Sequence, residues 1–233
     1  MKWRKEWCAF YLMTAAALLL CVYMGNQAVT TMAAGEMPAR EVCIVIDPGH
    51  GGVDGGATSC TGKLESAYNL EISLRLNDLF QLLGYDTYMI RTEDISVYTS
   101  VTSIAQKKIS DLKERVRIAN ETENALLLSI HQNTFPDSRY SGAQVFFGNA
   151  EESRHLAERL QKMFVQTVNP GSRRQAKKSS GIYLMEHIRC PGVLIECGFL
   201  SNPEEEANLN RKEYQQQLCC VIVSAVSSFL SNT

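Results

Sequence analysis

The sequence predicts an α/β fold, a single three-layer domain in which a central, largely parallel, twisted sheet is flanked by helices. Two observations support this prediction. Short apolar runs of strand type alternate along the chain with longer segments in which apolar residues recur every three or four positions. A length of 233 residues, with 45% hydrophobic and 21% charged residues, suits one globular domain. Such alternation builds strand-helix-strand units whose strands pair in parallel.

The first half of the chain supplies three predicted strands and two predicted helices. The strands are EVCIVID (41–47), YDTYMIR (85–91) and ALLLSI (125–130). The helices cover 65–84, with an end at Gly84, and 104–120, because their apolar residues keep a helical spacing. The predicted buried faces are Tyr68, Ile72, Leu76, Leu79 and Leu83 for the first helix, and Ala105, Ile109, Leu112, Val116 and Ala119 for the second.

The second half continues the same alternation and shows no internal repeat or second domain. In chain order it contains the apolar segment GAQVFFG (142–148), a helix through Leu156, Leu160 and Phe164, a basic loop with Arg173, Arg174, Lys177 and Lys178, the apolar runs IYLM and GVLIEC, and a last helix through Tyr214, Leu218, Val221, Ala225 and Phe229. The basic loop is expected to be a solvated surface, with attraction of substrate carboxylates as the alternative.

The N-terminus has the pattern of a targeting segment. Lys2, Arg4 and Lys5 precede the charge-free apolar run CAFYLMTAAALLLCVYM (8–24), which is typical of a signal peptide or a short membrane anchor. We therefore predict that residues 1–34 are a signal peptide or N-terminal membrane anchor with a connector, and that residues 35–233 are an exported domain. Cleavage and membrane attachment remain alternatives at this point.

The charge and cysteine content narrow the function classes. Without Lys2, Arg4, Lys5 and Glu6, the 23 basic and 25 acidic residues of the chain become 20 and 24. The predicted exported part is therefore slightly acidic, and nothing indicates a nucleic-acid surface. The eight cysteines form no CxxC pair and no regular framework. Buried thiols are the favoured interpretation, and a bridge between Cys60 and Cys190 is the alternative.

Chemically active side chains occur where predicted strands end. His50 ends DPGH, His131 lies in SIHQN, and Glu196 lies in LIECGF. Ligands of open α/β sheets bind at the carboxyl ends of strands, so these residues are expected at one rim, with Glu65 near it at the start of the first helix. Each alone could be structural, Glu65 for instance as a helix-dipole carboxylate. Two histidines and one glutamate form the ligand set of a hydrolytic zinc site, which leaves the other glutamate as a general base.

A phosphate cradle is the competing interpretation of the glycine-rich stretch, and it fails on spacing. The Walker pattern requires four residues between its glycines and a Ser or Thr after the lysine. Here Gly56 and Gly62 enclose five residues, and Leu64 follows Lys63. The glycines instead fit a tight loop that places His50. His155 and His187 are expected to be a helix-surface residue and a loop residue near the cleft.

Four blocks in order, DPGHGGVDGGA, Glu65, SIHQN and LIECGFLSNPEE, resemble the zinc-dependent N-acetylmuramoyl-L-alanine amidases of the amidase-3 family. The resemblance covers roughly residues 42–230. The segments IRTED and RVRIAN stand where the family has Thr-Arg-x-x-Asp and Arg-x-x-x-Ala-Asn. The chain differs from the family pattern at Ile90, where Thr is usual, and at Gln132, where Ala is common.

This resemblance implies Zn²⁺ bound by His50, Glu65 and His131, with Glu196 as the catalytic carboxylate and peptidoglycan as the substrate. The segments 103–116 and 181–202 look most like the sporulation-specific branch, which acts on cortex muropeptides before muramic lactam formation and germination. A helper or activator protein is a further expected partner. The alternatives are a zinc hydrolase that cuts another cell-wall amide and a non-catalytic exported binding protein.

Overall fold

A six-stranded mixed sheet runs through the part of the chain that the computed structural model describes, residues 42–98 and 103–231. The predicted leader lies outside these residues. The strands are β1 (Cys43–Pro48), β2 (Asp86–Met89), β3 (Ala125–Asn133), β4 (Gln144–Phe147), β5 (Lys177–Lys178) and β6 (Gly192–Phe199). Their order is β2-β1-β3-β6-β4-β5, and all neighbours are parallel except β4 and β6.

Six helices connect these strands within the same residues. They are α1 (Glu65–Leu82), α2 (Ile104–Glu121), α3 (Glu151–Thr167), α4 (Tyr183–His187), α5 (Pro203–Leu209) and α6 (Lys212–Leu230). The predicted fold class is confirmed, including the largely parallel sheet. The run IYLM forms part of the short helix α4, and α5 was not predicted. Its start is marked in the sequence by Asn202, whose side chain accepts hydrogen bonds from two backbone amides, followed by Pro203.

Successive side chains of a strand point to opposite faces of the sheet, so each face has its own core. Helices cover the two faces to different extents. Helices α1, α3 and α6 cover one face and enclose the larger core, which contains Ile44, Leu128 and Ile195. Helices α2 and α4 cover the other face with a smaller cluster that contains Val45 and Leu127. The predicted face of α3 is fully buried at Leu156, Leu160 and Phe164.

Two predicted helix faces differ from the structure. In α1 the buried stripe continues from Leu76 to Phe80, whereas Leu83, the residue after the helix, is 40% exposed. In α2 the side chains of Ile109 and Leu112 are 55% and 37% exposed, and the buried residues are Arg115 and Ala119. Only the second half of α2 packs on the sheet, so helical spacing alone overestimated its buried length.

The cysteines of the described residues answer one further expectation. Cys43, Cys60, Cys190, Cys197, Cys219 and Cys220 all carry free thiols, so the alternative bridge between Cys60 and Cys190 is not formed. Cys197 and Cys219 are buried, as expected for thiols that act as small hydrophobic side chains.

Within residues 42–98 and 103–231, no helix is both long enough and apolar enough to cross a membrane.

Candidate functional site

Three predicted site residues converge at the carboxyl ends of β1 and β3. His50 follows β1, Glu65 is the first residue of α1, and His131 lies within β3. Their ligand atoms all lie within 4.8 Å of one another. Glu65 Oε1 is 2.9 Å from His131 Nδ1, and Glu65 Oε2 is 3.3 Å from His50 Nε2. A carboxylate between two imidazoles is a group that could hold a divalent metal ion.

Glu65 is buried and held by neutral donors as well as by the two histidines. Its Oε1 accepts hydrogen bonds from the backbone amide of Gln132 and the side-chain amide of Asn69, and its Oε2 accepts one from the amide of Ala57. Burial alone would raise the pKa of Glu65, but the hydrogen bonds and charges of His131 and His50 hold this pKa well below its usual range. The carboxylate is therefore ionised and fixed in orientation.

His50 has a strained backbone and a partner on each ring nitrogen. Its φ of 59° lies in the left-handed region, which is uncommon for a residue with a side chain. Asp54 Oδ2 lies 3.0 Å from Nδ1, which leaves Nε2 directed at Glu65. Burial lowers the pKa of His50, but Glu65 and Asp54 outweigh burial and raise it to about 9. The cluster thus favours a positive charge at this point.

Two buried arginines hold the loop that carries His50. Arg115 donates to the carbonyl oxygens of Pro48 and His50 at 2.9 and 2.8 Å and forms an ion pair with buried Asp47. Arg91 donates to the carbonyls of Pro48 and Gly49 at 2.9 and 3.1 Å. Three successive carbonyls are therefore bound by guanidinium groups. The sequence marked the segments of these arginines only through the family resemblance and did not reveal this role.

Two glycines allow the site residues to approach each other. A Cβ at Gly49 would lie 2.2 Å from His131 Nε2, so any larger residue would displace that ring. Gly56 has a φ of 69°, and a Cβ there would lie 2.6 Å from Glu65 Oε2 and 2.7 Å from His50 Cδ2. The close approach predicted for the glycine-rich stretch is thus an approach to the side chains of the site.

Glu196 lies beside the cluster on the neighbouring strand and is not one of the three grouped residues. It pairs in register with His131 across β3 and β6. Its Oε2 is buried and has no hydrogen-bond partner among the described residues. Burial raises the pKa of Glu196 to about 7, although the nearby charge of His131 opposes this shift. The site therefore contains one ionised carboxylate, Glu65, and one carboxyl group that can exchange a proton near neutral pH.

The other residues named from the sequence lie outside this cluster. His155 is exposed on α3 near Glu151, and the ring of His187 stacks on Tyr183 with 3.9 Å between ring centroids. Lys177 and Lys178 form the edge strand β5. Arg174 donates to the carbonyl of Ser141 and lies over the ring of Phe199.

The fold and the cluster are those of a hydrolytic α/β enzyme. The chain belongs to the Amidase_3 family, N-acetylmuramoyl-L-alanine amidase, whose model matches residues 44–228. It is 36% identical over 199 residues to the germination-specific N-acetylmuramoyl-L-alanine amidase of Bacillus subtilis, with 84% of this chain and 83% of the relative covered. The predicted family and enzyme class are confirmed.

Two solved structures are also similar to the chain. The CwlD amidase of Clostridioides difficile, in complex with the GerS lipoprotein, matches with a TM-score of 0.78 at 34% identity, over 82% of this chain and 100% of that chain. An N-acetylmuramoyl-L-alanine amidase from Clostridium difficile 630 matches with a TM-score of 0.71 at 32% identity, over 84% and 100%. The sheet and its helices are therefore shared across these amidases.

Replacement of Arg115 by Met should destabilise the domain, because Asp47 would remain buried without its cation. We expect the free energy of unfolding at pH 7 to fall by about 3–5 kcal/mol, measured by urea denaturation. Arg115→Met removes a side chain that is 3% exposed. The control is Arg117→Met on the same helix, whose exposed side chain pairs with Glu114 and Glu121 and whose loss should change stability little.

The pH dependence tests the cause of this loss. In the parent, burial would raise the pKa of Asp47, but Arg115 keeps it below its usual value, so the stabilisation exists at neutral pH and is lost on acidification. Without Arg115, burial should raise this pKa, and the deficit relative to the parent should shrink as Asp47 becomes protonated between pH 7 and pH 5. A deficit that stays constant over this range would contradict the explanation.

Proposed function

We propose that this amidase is a zinc enzyme in which His50, Glu65 and His131 bind the metal and Glu196 transfers the proton in hydrolysis of the bond between N-acetylmuramic acid and L-alanine. One observation carries the proposal. Ligand atoms of three residues from different elements converge within 4.8 Å, and a buried carboxyl oxygen without a partner among the described residues lies on the adjacent strand.

The donor set fits zinc. Two imidazole nitrogens and one carboxylate oxygen are ligands of catalytic zinc sites, which keep a position open for water or substrate. Asp54 at Nδ1 of His50 fixes the orientation of that ring, as carboxylates commonly do for metal-binding histidines. The negative charges of Glu65 and Asp54 on either side of His50 also favour a cation within the cluster.

The metal and Glu196 would have different roles in amide hydrolysis. Bound zinc would polarise the amide carbonyl and lower the pKa of water to about 7. Glu196 accepts a proton from the attacking water as the oxygen adds to the carbonyl carbon. It then donates this proton to the nitrogen of L-alanine as the carbon–nitrogen bond breaks. The pKa of about 7 suits a group that must both accept and release a proton at neutral pH.

Removal of one ligand should abolish zinc binding. We expect the parent to retain about one zinc ion per chain after dialysis and His131→Ala to retain almost none, because a site with two protein ligands binds zinc weakly. Metal analysis by mass spectrometry measures this ratio. His187→Ala, which changes an exposed histidine outside the cluster, should bind zinc like the parent. Equal zinc content in His131→Ala and the parent would exclude the assigned ligand set.

Replacement of Glu196 by Gln should remove turnover and keep the metal. We expect kcat to fall about 10²–10⁴-fold, the usual contribution of general acid-base catalysis, with zinc content and unfolding temperature near those of the parent. Release of stem peptide from peptidoglycan, followed by mass spectrometry, gives the rate. A folded, zinc-loaded Glu196→Gln protein with the parental rate would exclude this proton-transfer role.

We further propose that the protein acts outside the cytoplasm on spore cortex peptidoglycan, in the maturation step that precedes germination. The germination-specific relative and the sporulation-type segments 103–116 and 181–202 support this proposal. Residues 1–34 would direct export or membrane attachment, and residues 35–233 would form the catalytic unit. A helper protein is also proposed, since the CwlD neighbour is bound to a lipoprotein and Ile104 and Ile109 of α2 expose apolar surface.

The test compares two walls. Residues 35–233, loaded with zinc, are incubated with cortex and with vegetative peptidoglycan, and products are identified by mass spectrometry of muropeptides. We expect intact stem peptides to be released from muramic acid, faster from cortex than from vegetative wall. Equal rates would exclude the cortex preference, and products of another cleaved amide would exclude the assigned bond. A zinc-loaded protein that binds wall without product, even with a helper lipoprotein added, would indicate a binding protein.

A further inference from the structure

A cavity of about 200 Å³ opens beside the metal-binding cluster and has no role in the mechanism described above. It lies between α2 and α4, on the less covered face of the sheet. His50 and His131 border it on one side. Its walls include the apolar side chains of Leu112, Ile182, Leu184 and Leu194. Its base contains Asp47 and Arg115, which are buried and paired with each other.

Apart from the histidines of the cluster, two basic side chains of the described residues border this cavity, and they differ in what they can still bind. Arg115 is 3% exposed and is occupied by Asp47, by Asp111 and by the carbonyls of Pro48 and His50. Lys108 is 52% exposed, and its Nζ lies 2.9 Å from Asp54 Oδ1. An ammonium group has three N–H donors. The contact with Asp54 leaves donors of Lys108 available to an anion that enters the cavity.

The substrate carries free anionic groups on only one side of the scissile amide. The bond that is cut joins the carbonyl of the muramoyl group to the nitrogen of L-alanine, so the carboxyl group of muramic acid is already consumed in that amide. The sugar then offers only hydroxyl and acetamido groups near the bond. The peptide side carries free carboxylates, and its first residue has a methyl side chain that matches the apolar wall of Leu112 and Leu184.

We propose that this cavity is the subsite for the stem peptide, in which Lys108 binds the first free carboxylate after L-alanine. The proposal rests on the amidase mechanism proposed above. It adds that the face of the sheet between α2 and α4 receives the peptide side of the scissile bond. The glycan strand then lies over the other side of the cluster. Lys108 is a specificity-determining residue, because it touches the peptide and not the reacting atoms.

The test uses two synthetic substrates and one charge removal. Both substrates are N-acetylmuramoyl-L-alanyl dipeptides, and they differ only in a free α-carboxylate or a carboxamide on the second residue. For Lys108→Met we expect KM to rise about tenfold on the carboxylate, the loss of one charge-assisted hydrogen bond, and to change less than about twofold on the carboxamide. Values of kcat should change little on both.

Three controls separate recognition from structure. Lys107→Met removes the same charge from the neighbouring position of α2, where Lys107 lies 5.1 Å from the ring centroid of Tyr98, and should leave both KM values at the parental level. Lys108→Arg keeps the positive charge and should retain the discrimination between the two substrates that Lys108→Met loses. Zinc content is measured for each variant because Lys108 also contacts Asp54. A loss of metal would slow both substrates equally, whereas lost recognition affects the carboxylate alone.

The result that would overturn the proposal is an equal change of KM for both substrates. Failure of the amidase mechanism is a different outcome, in which the zinc-loaded parent releases no alanyl peptide from either substrate. In that case the subsite can still be tested by binding alone. Calorimetry measures the binding of both compounds to Glu196→Gln and to the double variant that combines Glu196→Gln with Lys108→Met. A preference of Glu196→Gln for the carboxylate that disappears with Lys108→Met supports the subsite, and equal binding of both compounds excludes it.

Discussion

The site depends on one buried ion pair, between Arg115 and Asp47. Asp47 lies in β1, where the strand leaves the core, and Ser129 of β3 donates a further hydrogen bond to it at 2.7 Å. Arg115 reaches this carboxylate from α2 and binds the carbonyl of His50 with the same guanidinium group. The ion pair and these hydrogen bonds thus join two strands, a helix and the loop that carries His50. The strained backbone of His50 persists because its surroundings hold it in place.

Electrostatic balance explains how so many charged groups coexist at this rim. Glu65 and Asp54 surround His50 with negative charge, and this charge is compensated by the imidazoles and by Lys108. Glu196 differs because burial dominates its environment and keeps its proton affinity high. Two glutamates of equal intrinsic acidity thereby differ in protonation. Glu65 stays ionised, and Glu196 can exchange a proton near neutral pH.

Much of the fold was predictable because it follows from apolar periodicity. The strands β1, β3 and β6 and the helices α1, α3 and α6 follow directly from the spacing of their apolar residues. The convergence of His50, Glu65 and His131 followed from the rule that ligands gather where parallel strands end. The supporting residues did not follow, since Arg91, Asp54 and Asn69 act through carbonyl and carboxylate contacts that span up to 43 positions of sequence. No periodicity marks such contacts, and the exposed first half of α2 shows that periodicity also overestimates burial.

The register of β3 and β6 limits how the sequence of this domain can vary in length. Val193 and Ile195 face the larger core, whereas Leu194 belongs to the smaller cluster on the opposite face, and Glu196 pairs with His131. Insertion or deletion of one residue between Gly192 and Glu196 would exchange the two faces of the strand and send the carboxyl group into the larger core. A change of length within these strands would therefore disrupt both the core and the site, whereas a substitution leaves the register of every other residue unchanged.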